Sequence, residues 1–123
     1  MSSGIHKTKG AIMQIERQRK HLLDILFLDE ELIVGSYAEL QVRCGKRGCH
    51  CEKKPAHLVT RLGFMQEGKL KMKLVRIEDR EWVSTGVKIY KDNKKALSEM
   101  AKLNKKLSTL LKTLIKQRNC HYE

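Results

Sequence analysis

The sequence predicts an α+β protein in which two helices flank a small antiparallel β-meander, within one domain spanning residues 1–123. Three observations predict it. Apolar residues recur at spacings of three, four and seven near the N-terminus, the period drops to two in the middle, and a heptad-like pattern takes over toward the C-terminus. At 123 residues and 14.3 kDa there is room for a modest core, but not for a large cleft under a lid. With 33% charged and 41% hydrophobic residues, the chain reads as a folded basic protein and not as a disordered tail.

The first element is a helix over 7–28. Ile5, Ile12, Ile15, Leu22 and Leu26 fall on one helical face, while Glu16, Arg17, Lys20 and Asp24 fall on the others. Arg19 interrupts the stripe, but its long stem can lie along an apolar seam with the head in water. The turn signal Gly35-Ser36 lies beyond its end.

The meander follows over 36–76. Ala38, Leu40, Val42 and Cys44 alternate with Glu39, Gln41 and Arg43, as in a half-buried strand. Leu58 to Met65 supplies a second strand, Gln66-Glu67-Gly68-Lys69 a polar hairpin turn, and Leu70, Met72 and Leu74, alternating with Lys71 and Lys73, a third. So small a sheet needs a metal or the helices to hold it.

The last element is a long coiled-coil-like helix over 79–118. A heptad begun at Val83 puts Val83, Tyr90, Leu97, Asn104 and Leu111 at one seam position. It puts Gly86, Asn93, Met100, Leu107 and Leu114 at the other, with Leu103 and Leu110 widening the stripe. The pattern weakens around Gly86, leaving room there for a bend or a helix start. Forty residues at ~1.5 Å each span roughly 60 Å, so the stripe calls for a partner: the first helix, a second copy in a homodimer, or both. Asn104 either fixes register within that seam or faces solvent on a slightly rotated helix.

Lys plus Arg number 26 against 14 Asp plus Glu, a formal charge of +12 with a pI near 9.8. A surface of that sign favours an anionic partner, and nucleic acid above the others. The aromatics, 5% of the chain, are scattered singly, so a base-stacking platform is not expected and duplex DNA fits better than a single strand. The outer face of the long helix carries Lys88, Lys95 and Lys102 at intervals of seven, with Lys105 alongside; either it follows a phosphate backbone or it is a solvated exterior. No apolar run approaches the roughly 20 residues that cross a bilayer, and Met1-Ser-Ser-Gly lacks a secretory signal's apolar stretch, so a cytoplasmic protein with no membrane partner is expected.

Three of the four cysteines fall in Cys44-Gly-Lys-Arg-Gly-Cys49-His-Cys51. Clustered thiols in a reducing compartment point to metal more than to disulfides. Cys49 and Cys51 leave an extended chain on the same face, and Gly45 and Gly48 allow the turn that brings Cys44 to the same point. His57 is the best fourth ligand within reach for structural Zn2+, with Cys120 or His121 the alternatives from the far end of the chain. An iron–sulfur centre and free or redox-active thiols are the alternatives. Lys46, Arg47, Lys53 and Lys54 make this loop a basic knob, either to meet phosphates or to offset the thiolate charge.

The order of helix, Gly35-Ser36, Cys44-Gly45-Lys46-Arg47-Gly48-Cys49-His50-Cys51, spaced His, Gly-Lys hairpin and Leu-rich helix with Leu103-Asn104 resembles a family of short bacterial and archaeal proteins of unknown function. Members of that family are often encoded beside transposases. The resemblance runs from about Gly35 to Leu114 and implies Cys44, Cys49, Cys51 and His57 as motif residues in a mobile-element setting. After the His the family pattern usually continues into Gly-Pro and aromatics, where this chain reads Leu58-Val59-Thr60-Arg61.

Catalysis would need a nucleophile with its base, paired carboxylates or an open metal. Glu52 alone sits beside the cysteines, and Asp29-Glu30-Glu31 and Glu78-Asp79 read as helix-end charges. The expectation is therefore no enzyme, but a zinc-stabilised duplex-DNA-binding accessory protein that aids transposition. The alternative is a coiled-coil adaptor for a transposase or another nucleic-acid enzyme, without DNA contact of its own.

Overall fold

The computed structural model describes residues 2–42 and 57–122. Helix α1 covers Ser2–Leu26, followed by strands β1 (Ser36–Val42), β2 (His57–Gln66) and β3 (Lys69–Val75), a short 3-10 turn (Ile77–Asp79) and helix α2 (Arg80–Arg118). The α+β architecture expected from the three periodicities is present: an N-terminal helix, a three-stranded antiparallel sheet in the order β1-β2-β3, and a long C-terminal helix. The chain divides into two compact units, Met1–Asp29 with Asp92–Glu123, and Glu30–Lys91.

In the first unit α1 lies antiparallel to the C-terminal part of α2. Leu22 packs with Ala96 and Met100, and Ile25, Leu26 and Leu103 close around them. Near the other end a Cβ on Gly4 would touch the Gln117 side chain. Helix α1 starts at Ser2, earlier than position 7, because this pairing supports its first turns: Thr8 is buried and donates its hydroxyl to the Gly4 carbonyl at 3.0 Å. One partner helix covers one line of the α2 stripe. Ala96 and Met100 are buried and Leu103, Leu107, Leu110 and Leu114 half-buried, while Leu97, Asn104 and Leu111, assigned to a seam, are exposed. Asn104 nonetheless engages α1, its Oδ1 accepting from Arg19 Nε at 2.9 Å, while Arg19 Nη1 donates to Glu16 at 2.8 Å. Arg19 thus sits where its stem meets the seam and its head reaches water.

In the second unit β1 pairs with β2 from Ser36↔Gly63 to Val42↔His57, and β2 with β3 from Thr60↔Val75 to Gln66↔Lys69. The β2–β3 turn has positive φ at both Glu67 (51°) and Gly68 (78°), the left-handed pair that two-residue hairpins use to match strand twist. Thr60 is the polar centre of this unit: its hydroxyl donates to the Val75 carbonyl at 2.9 Å and accepts from Arg80 Nε at 3.3 Å. Arg80 Nη2 also donates to the Leu58 carbonyl at 3.2 Å, tying the sheet to the first turn of α2. Helix α2 passes through Gly86 without a break. The missing side chain there admits the segment before β1: Ile33 N donates to the Gly86 carbonyl at 3.0 Å, and a Cβ on Gly86 would stand 2.8 Å from Ile33 Cγ1.

Glu78, Asp79 and Glu81 lie at the start of α2, with Lys116 and Arg118 in its last turn, each sign facing the helix end it complements. Asp79 accepts from the Trp82 indole at 2.9 Å and from Arg76 Nε at 3.0 Å. The indole bond first, and the guanidinium next, hold its carboxyl below the usual carboxylate range. A group depressed in this way adds stability above its unfolded-state pKa and loses it as pH falls through the lower folded value. Trp82 is the single tryptophan, so its fluorescence is expected to shift in a step below the usual carboxylate range, and Asp79→Asn to abolish that step. A titration at ordinary carboxylate pH would show instead that the indole bond does not form.

Candidate nucleic-acid interface and metal centre

Of the residues expected to meet nucleic acid, Lys95, Lys102 and Lys105 are exposed on the part of α2 that pairs with α1, and Lys88 is exposed in the sheet-containing unit. Within the helical pair they belong to a longer line, Lys95-Ser98-Lys102-Lys105-Thr109-Lys112-Lys116, at alternating spacings of three and four, all solvent-exposed. Lys95, Lys102, Lys105, Lys112 and Lys116 take part in none of the described ion pairs. From Lys95 to Lys116 the line extends about 32 Å, close to the ~34 Å of one duplex turn.

The helical pair also gathers basic side chains that sequence reasoning missed. Arg17 and His21, one turn apart on α1, line a groove of about 490 Å³ with Lys102 and Lys106, one turn apart on α2. Leu22 and Leu103 floor it and Glu99 is its carboxylate. Arg17 is held on its own helix by donating to Gln14 Oε1 at 3.2 Å. Lys102 and Lys106 border a second groove with Lys105 and Thr109. The signal lay in the sequence only as Arg17 and His21 four residues apart; that they oppose Lys102 and Lys106 follows from the helix pairing.

Lys46, Arg47, Lys53 and Lys54 lie outside the described residues, as do Cys44, Cys49 and Cys51. His57 opens β2, and its backbone pairs with Val42 at the end of β1. Among the described residues no group of three His, Cys, Asp or Glu could hold a metal ion. Cys120 is exposed, with His121 Nδ1 3.5 Å from Asn119 Nδ2.

The sheet-containing unit has a cleft of opposite sign, lined by Glu31, Glu78 and Glu81 beside Trp82 and Ile33. Glu78 is 3.8 Å from Arg76 Nε. Among the described residues no helix is long and apolar enough to cross a membrane. No family model, curated protein or solved structure matches this chain.

Proposed function

We propose that this chain is a zinc-stabilised, non-enzymatic accessory protein that binds duplex nucleic acid, DNA in preference, in the setting of transposition. The observation that carries the reading is the groove where Arg17 and His21 meet Lys102 and Lys106, beside an unpaired lysine line as long as a duplex turn. Cations so spaced contact phosphates and carry no base information, so binding is electrostatic and sequence-tolerant. Zinc held by Cys44, Cys49, Cys51 and His57 closes the free end of the β1–β2 pair; the Val42↔His57 pairing supports that assignment.

A salt titration on labelled duplex tests the binding. With about five phosphates neutralised, log K falls against log salt with a slope of roughly −4 to −5. A flat dependence would exclude a phosphate-tracking mode. The exposed line Leu97, Leu111 and Ile115 favours the adaptor as second reading, and a pull-down of a partner that survives nuclease and high salt would select it.

A further inference from the structure

Strand alternation sorts the sheet into two unlike faces. One carries Thr60, Leu62 and Phe64 of β2 with Lys69, Lys71 and Lys73 of β3, and there Lys73 Nζ lies 5.7 Å from the Phe64 ring centroid. The other carries Leu40 of β1, Met65 of β2, and Leu70, Met72 and Leu74 of β3. These five side chains are 41, 65, 68, 54 and 70% exposed, respectively. Arg61 is the charged residue among them.

Large side chains present on the order of 150–200 Å² each when free, so this face leaves roughly 500 Å² of apolar surface in water. That is more than half of the ~800 Å² each partner brings to a standard interface, before Ala38, Val59 and the rim are counted. We propose that this face packs against the same face of a second copy, sheet on sheet about 10 Å apart, in a two-fold symmetric dimer. Charge selects that occupant. A chain of net charge +12 self-associates most readily where fewest of its cations meet, and β3 sends all three of its lysines to the opposite face, leaving Arg61 as the charge on this one. An acidic protein would be drawn to that lysine face instead. The proposal is independent of nucleic-acid binding, since it uses none of the cations in the helical groove.

Sedimentation equilibrium of the nuclease-treated full chain, with zinc present, tests it. The expected mass is twice the 14.3 kDa of one chain. Leu70→Glu with Leu74→Glu is expected to yield the single-chain mass with helical circular dichroism kept, and Met65→Lys alone to weaken dimerisation at least tenfold. Ile115→Lys, on the exposed line of α2, is expected to leave the dimer intact. A wild-type chain that sediments singly at micromolar concentration overturns the proposal, whether the face is then covered by the chain itself or by another protein. So does a dimer that survives both sheet substitutions, or one that Ile115→Lys dissolves. If the double variant unfolds, the wild-type mass and Met65→Lys decide.

Discussion

Replacing Lys102 and Lys106 together by glutamate is expected to lower duplex affinity about 100-fold at low salt, roughly tenfold per charge-assisted phosphate contact. Both side chains are exposed and belong to none of the described ion pairs, so their loss leaves the core of Leu22, Ala96 and Met100 intact. The loss should be uniform across duplex sequences, and the salt slope should flatten by about two, one unit for each phosphate contact removed. Lys20→Glu is the control: Lys20 already faces Asp24 at 3.1 Å, and it stands apart from the groove. Fluorescence anisotropy of a labelled duplex reads all three. Equal affinities for wild type and the double variant would remove the groove from the interface.

Cys49→Ser, or exhaustive chelation, is expected to abolish a one-per-chain zinc content and to release the sheet while helix α1 and its pairing with α2 persist. Structural zinc contributes an apparent ~10 kcal/mol or more in small metal domains, comparable with the whole stability of a chain this size. On the proposed reading, zinc would close the free end of the β1–β2 pair. Val42 and His57 pair at that end of the sheet, with fourteen residues of the chain between them. Amide exchange of Ser36–Val42 and His57–Gln66, set beside metal analysis of the purified chain, gives the answer. Amides equally protected with and without zinc would mean that the sheet stands on its helix contacts alone.

The elements were legible because each period is set by local chemistry. Alternation in Lys69 to Leu74 could only be a strand, and the Glu67-Gly68 pair could only turn it. The first turns of α1 were not legible, since Gly4 and Thr8 are poor helix formers and their turns gain support from the facing α2. The weak pattern at Gly86 suggested a break, yet the glycine marks where Ile33 comes close. The candidate groove was half legible: the lysines of α2 announce themselves by spacing, but Arg17 and His21 join them only through a pairing between residues some eighty positions apart. The leucines of β3 were read as one side of an alternating strand; whether anything covers them is a tertiary property that alternation cannot express.

The two-sidedness of β3 restricts how this chain can vary. Inserting one residue into the Glu67-Gly68 bend would rotate the strand by half a repeat, sending three ammonium groups to the greasy side and three aliphatic chains to the ionic one. Inserting two would restore the original parity. Length changes at that bend are therefore tolerable in even steps, while the positive φ of both its residues restricts what can stand there.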